Sequence, residues 1–135
     1  MSDVVWLTTE LVIAIHGEQL QRFGGPPGLR DRGLLESALG RPMNKHAYEE
    51  VDLADLAAAY AFGIARNHPF VDGNKRAALL ALVTFLGLNE ITFLVPEPEA
   101  VVAIQSLAAG TLSEEGLAAW IRDRLADVAG RPLDP

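Results

Sequence analysis

Two neighbouring stretches, Leu53–Ala65 and Ala77–Leu88, are apolar round almost their whole circumference when wound as helices. A helix that is greasy on every side must be buried on every side. The pair therefore has to form the centre of the fold, with the rest of the chain wrapped around it. Between them runs Arg66-Asn67-His68-Pro69-Phe70-Val71-Asp72-Gly73-Asn74-Lys75-Arg76, eleven residues carrying an imidazole, a carboxylate, a glycine, amides and three cations. Packing alone gives no reason for so polar a link, because burying such groups without partners costs roughly 2–7 kcal/mol each.

The other elements follow from caps and breakers. A first helix starts at Thr8 or Thr9 and runs to about Phe23, with Ile13, His16, Leu20 and Phe23 near one face. Gly24-Gly25-Pro26-Pro27-Gly28 ends it. Asp31 caps a short second helix that stops before Pro42, and Met43–Val51 is expected as a loop or extended flap. Asp52 caps the third helix, Leu53 to Asn67, and the fourth runs from Asn74 to Leu88. Ile91–Val95 is a short strand candidate, with Val4–Leu7 as its partner. Pro96 and Pro98 open a fifth helix that Gly110 stops. Thr111 or Ser113 caps the last, which carries Leu117, Trp120, Ile121 and Leu125. The expectation is a single all-α domain over residues 1–135, a compact bundle of about six helices with at most a short strand pair and a frayed tail at 130–135.

Composition narrows the function. With 11 Lys+Arg against 18 Asp+Glu the chain carries −7, so it is not a general polyanion binder and no direct DNA contact is expected. There is no cysteine, which removes disulfides, thiolate metal sites and a thiol nucleophile. The N-terminus lacks the basic start and apolar run of a signal peptide, and no apolar stretch approaches the ~20 residues of a membrane span. A cytoplasmic protein without membrane contact is expected. The three histidines lack a helical ligand spacing, which argues against zinc. His16 is read as a packed, hydrogen-bonded core histidine, and His46 as an exposed one.

The polar link admits a chemical reading. Gly73-Asn74-Lys75-Arg76 opens the fourth helix, and helix starts present free N–H groups to anions. Gly73 lets the backbone approach closely, Lys75 and Arg76 add charge, and Asn74 adds an amide donor. Asp72 fits beside phosphate only through a divalent metal, Mg2+ first, that bridges the two. His68 is a candidate base for an incoming hydroxyl, and Phe70 points into the core and pins the loop. Together these suit phosphoryl or nucleotidyl transfer. The alternative is a plain helix connection in which His68 and Asp72 satisfy each other. Arg66 either neutralises phosphate or caps the third helix.

His68-Pro69-Phe70-Val71-Asp72-Gly73-Asn74-Lys75-Arg76 resembles the active-site motif of the Fic/Doc family, His-x-Phe-x-Asp/Glu-Gly-Asn followed by a basic residue. Phe23-Gly24-Gly25, Gly28-Leu29-Arg30-Asp31, Leu34-Leu35-Glu36-Ser37-Ala38, Arg41-Pro42 and Tyr48-Glu49 resemble its Doc (death-on-curing) branch. The resemblance implies a small helical toxin encoded beside an antitoxin. By it, His68 is the general base, Asp72 holds Mg2+, Gly73 and Asn74 shape the phosphate turn, Lys75 and Arg76 hold nucleotide phosphates, and Phe70 anchors the loop.

Two departures bear on the reaction. Relatives that transfer AMP usually have Gly-Arg after the Asn and a second Arg three positions beyond. Here Lys75 replaces that glycine and Leu79 stands at the second arginine position. The Doc branch shares the Lys-Arg form and is understood to bind ATP in the reversed sense and transfer its γ-phosphate. The resemblance thus implies kinase-like activity, with a threonine of elongation factor Tu as the family's target and translation as the process inhibited. AMP transfer is the first alternative, and a non-enzymatic antitoxin-binding module the second. Thr111–Gly116 fits a loose Ser/Thr-x-x-x-Glu-Gly inhibitory pattern, although inhibition by an antitoxin segment that folds into a groove is the preferred reading.

Overall fold

The computed structural model describes residues 3–127 and 129–133. Among these the chain is all-α: six helices and one antiparallel pair of two-residue strands. The helices are α1 (Thr9–Phe23), α2 (Arg32–Tyr48), α3 (Leu53–Asn67), α4 (Asn74–Leu88), α5 (Glu97–Ala109) and α6 (Glu114–Arg122). The strands are β1 (Thr92–Phe93) and β2 (Leu125–Ala126). No helix among the described residues is long and apolar enough to cross a membrane.

α3 is the axis. Ala54, Leu56 to Ala61 and Gly63 to Ala65 are all buried, and α2, α4, α5 and α6 pack around it. Small residues allow the crowding. A Cβ on Gly63 would lie 3.0 Å from the Ala38 Cα of α2, so the two helices touch nearly backbone to backbone. Asp52 opens α3 with a capping box: its carboxylate accepts from the Asp55 N–H, and the Asp55 carboxylate accepts from the Asp52 N–H. Thr8, Asp31 and Ser113 cap α1, α2 and α6 in the simpler way. α4 buries Ala77, Ala78, Ala81, Leu82, Phe85 and Leu86 against α3.

Three expectations give way here. α2 does not stop before Pro42 but runs through it to Tyr48, so most of the expected flap is helix. An interior proline costs about 3 kcal/mol in a helix. Pro42 is itself buried with Leu35, Ala38 and Leu39, and Arg41 and Lys45 on either side of it both bind the buried Glu114, which offsets that cost.

β1 pairs with β2 and not with Val4–Leu7. The backbone of Val5 is taken by a side chain, the Asn89 amide, which accepts its N–H at 2.8 Å and donates to its carbonyl at 2.9 Å. The Leu7 N–H donates to the Tyr60 hydroxyl, so the edge that Val5 and Leu7 share is taken by side chains and not by a strand.

α6 ends at Arg122, which places Leu125 on β2. In the exposed stretch beyond, the Leu133 N–H donates to the Leu125 carbonyl at 3.0 Å, and the Asp127 N–H to that of Arg131 at 2.8 Å. Asp127 accounts for this turn, since its carboxylate accepts from the Ala129 and Arg131 N–H groups. Residues 134 and 135 lie outside the described residues.

Candidate active site

The link between α3 and α4 is built as one shaped loop. α3 ends with His68 in the left-handed region, at φ 48° and ψ 57°. That conformation costs a side-chain-bearing residue roughly 1–2 kcal/mol, so the surroundings must impose it. Arg30 meets it from outside the loop. Its Nε donates to the His68 carbonyl at 2.7 Å and its Nη2 to the Asn67 carbonyl at 2.9 Å. The Arg30 and Asp31 N–H groups both donate to the Pro69 carbonyl, and the Val71 N–H donates to Gly28. Residues 28–31 thus run antiparallel to the loop, with a bridge between Leu29 and Phe70.

Phe70, expected to point into the core and pin the loop, and Asn74, expected as an amide donor to an anion, are both buried beneath the loop. Phe70 is only 1% exposed. The Asn74 side chain accepts from the Phe70 N–H and donates to the Phe70 carbonyl, both at 3.0 Å, so its amide is not free to face an anion. Their work is on the loop's shape. His16 of α1 completes the support: its ring stacks on Phe70, and its Nε2 lies 2.7 Å from the Asp72 carbonyl. A carbonyl only accepts, so Nε2 must carry the proton. His16 is the packed, hydrogen-bonded residue expected, and its partner is the loop itself.

The outer side of the loop is open. His68, Asp72, Lys75 and Arg76 are all exposed. Gly73, at φ 78°, leads into α4 and brings no side-chain cap, which leaves the helix start available to an anion. The sharp alternative to this picture, a helix start capped internally beside a sealed histidine, does not describe the molecule.

The turn after α1 borders the same surface. The Arg76 guanidinium lies over the Phe23 ring, 4.3 Å from its centroid. Gly25, at φ 116°, turns its bare Cα toward Asp72; a Cβ there would sit 2.9 Å from Oδ2. Arg66 neither reaches the loop nor caps α3. It lies over the Phe62 ring, with Arg41 also stacked on that ring, and Arg30 does the capping.

Among the described residues no group of three or more His, Asp or Glu side chains gathers as a metal site. Mg2+ commonly takes one or two carboxylates and completes its shell with water and substrate phosphates. A single carboxylate such as Asp72 falls within that range.

A cavity of about 440 Å³ lies beside the loop, between α2 and α3, with Arg41, Lys45, Tyr48, Phe62, Arg66 and Asn67 in its wall. Glu114, only 5% exposed, accepts from Arg41 Nε at 3.0 Å and from Lys45 at 3.2 Å. The Thr111–Gly116 segment thus directs Glu114 to α2 and Glu115 to solvent, and among the described residues neither pairs with Lys75 or Arg76.

The contacts of Arg30 and His16 with the loop leave little trace in the sequence. Arg30 acts across 38 positions and His16 across 56, and neither separation leaves a local pattern. The usable signals were slight: a histidine on an otherwise apolar helix face, and an arginine next to the Asp31 cap.

Comparison with known proteins gives the family. The Fic/DOC family model matches residues 6–86, which include α1 and the whole loop. The chain is similar to a protein named Protein kinase doc from Escherichia phage P1, 36% identical over 117 residues, which span 86% of this chain and 92% of that one. It is also similar to one named Toxin Doc from Mycolicibacterium smegmatis, 47% identical over 73 residues, which span 51% of this chain and 55% of the other. The chain therefore belongs to the Fic/Doc family, as a toxin of the Doc type with kinase activity.

Proposed function

We propose that the chain is the toxin of a bacterial toxin–antitoxin pair, that it transfers the γ-phosphate of ATP to a protein hydroxyl, and that residues 1–135 work as one Fic/Doc-like domain. By family resemblance the acceptor is a threonine of elongation factor Tu, translation is the process stopped, and the cytoplasm is where it happens. An antitoxin segment, disordered alone and folded into a groove, supplies the inhibition.

The observation that carries this reading is the uncapped start of α4, flanked by exposed His68, Asp72, Lys75 and Arg76. The amides and the two cations receive phosphate oxygens, where charge stabilisation is most of the catalysis. His68 takes the proton of the acceptor hydroxyl. The acceptor oxygen then bonds to the γ-phosphorus, the bond to the bridging oxygen breaks, and ADP leaves. Asp72 would hold Mg2+, which would supply further charge neutralisation when nucleotide is bound. Lys75 in place of a glycine, and Leu79 in place of a second arginine, favour γ-phosphate over AMP transfer.

The test is the fate of the label. Incubated with bacterial lysate, the protein should pass the γ-phosphate of ATP to an acceptor and leave the α-phosphate behind. His68→Ala should lower the rate by about 10²–10⁴-fold with the fold intact. Transfer of the α-label would establish AMP transfer instead. No transfer of either label, with growth inhibition retained by His68→Ala, would leave a binding module.

A further inference from the structure

We propose that Arg30, outside the motif, is a positioning residue that sets the backbone of His68 and so aims its imidazole. The proposal rests on the kinase reading above, in which His68 is the base.

Three successive residues are held by this one side chain and its own N–H. The guanidinium donates to the Asn67 and His68 carbonyls, and the Arg30 N–H donates to the Pro69 carbonyl at 2.7 Å. Among the described residues no carboxylate forms an ion pair with Arg30, so the guanidinium acts on backbone carbonyls alone. His68 stands at φ 48°, where its side chain leaves the backbone in a direction no extended or right-handed residue reproduces. Release of its carbonyl would let the residue relax and swing the ring. A planar fork with fixed donor directions suits two adjacent carbonyls, and an ammonium does not.

The rival account is ordinary capping, in which a cation satisfies the last carbonyls of α3 and acts on stability only. The two accounts differ in what a substitution changes. Capping alone would move the unfolding midpoint. Positioning would lower kcat per folded molecule and leave the nucleotide site, which lies on Gly73 to Arg76, unaltered.

The experiment measures γ-phosphate transfer to a protein acceptor by the full chain, with kcat and KM for ATP taken separately. Arg30→Gln should lower kcat by about 10–100-fold while KM for ATP stays within about twofold, the pattern of a misplaced catalytic group. Arg30→Lys, which keeps the charge but not the fork, should fall between. Added guanidinium ion at millimolar concentration should restore part of the kcat of Arg30→Ala and none of that of His68→Ala. An unchanged kcat per folded molecule, or a rise in KM alone, would overturn the proposal. Should Arg30→Ala fail to fold, Arg30→Lys decides by the same criterion. If His68→Ala transfers phosphate as well as the parent, the kinase reading has failed. If His68→Ala is inactive while the Arg30 variants are fully active, only the positioning role has failed.

Discussion

The imidazole of His16 lies flat on the ring of Phe70, with centroids 3.7 Å apart and planes 9° from parallel. α1 is thereby locked to the underside of the loop, and the same imidazole reaches past Phe70 to the Asp72 carbonyl. His16→Phe should separate the two contacts, because it keeps a ring and removes the donor. It should cost about 1 kcal/mol in urea unfolding, the net value of one hydrogen bond. Phe70→Ala removes a buried ring and should cost about 3–5 kcal/mol. If the loop depends on the hydrogen bond as well as the stack, His16→Phe should also weaken ATP binding measured by calorimetry. Unchanged affinity would assign His16 to packing alone.

Gly25 makes a second prediction about Asp72. Any side chain at φ 116° is strained, and at Gly25 a Cβ would also meet the Asp72 carboxylate. Gly24, at φ 78°, has nothing within 4 Å of its Cβ position, so it isolates the strain. Both alanine variants should lose roughly 1 kcal/mol or more of stability. Gly25→Ala alone should displace Asp72 and weaken Mg2+-dependent nucleotide binding. Titration of ATP with and without Mg2+ separates the two effects. Equal losses in both variants would mean that the close approach is not the cause.

How much of this was legible depends on the range of the interactions. Thr8, Asp31, Asp52 and Ser113 cap the helices assigned to them because capping is decided within three residues. The burial of α3 and α4 was readable for a similar reason, since an all-round apolar helix has only one place to go. His68, Asp72, Lys75 and Arg76 of the motif are all exposed on one loop, as so polar a stretch between two apolar helices requires. What stayed hidden is long-range. No local rule says that α2 can continue through Pro42, because the compensation comes from Glu114, more than seventy positions away. No alternation pattern reveals that Asn89 replaces a strand partner for Val5. Phe23 looked like a member of the buried face of α1, yet it is 63% exposed and carries Arg76 instead.

The Glu114 contact yields a third prediction. Its carboxylate is buried between Arg41 and Lys45, and these flank Pro42. Glu114→Gln keeps the shape and removes the charge, leaving two cations without their partner. Because Arg41 is itself half exposed, the cost should fall below that of a fully buried pair, at roughly 1–3 kcal/mol. The loss should concentrate in the second half of α2, where amide hydrogen exchange from Met43 to Tyr48 should accelerate more than in α3. Uniform acceleration would mean that Glu114 supports the whole bundle and not the proline-interrupted helix.

The fourth prediction concerns acid. The Arg122 guanidinium, hydrogen-bonded to Asp52, holds its carboxyl well below the ordinary range, at about 2, and the Asp55 N–H adds to this. A folded-state value depressed below the unfolded one, about 3.9, means that the group binds its proton more readily when unfolded. Its contribution is therefore complete above about pH 4, shrinks as the pH falls toward 2, and is gone below both values. Asp52 is half exposed, so solvent screening limits the ion pair to about 0.5–1 kcal/mol. Asn is as good an N-cap as Asp, so Asp52→Asn removes the charge and keeps the cap of α3. In urea unfolding the gap between the parent and Asp52→Asn should be full at neutral pH and close between about pH 4 and 2. Arg122→Gln should abolish most of that dependence, since it removes the main cause of the depressed value. No gap at any pH across this window would mean that Asp52 acts only as a cap and that α6 is held to the start of α3 by packing alone.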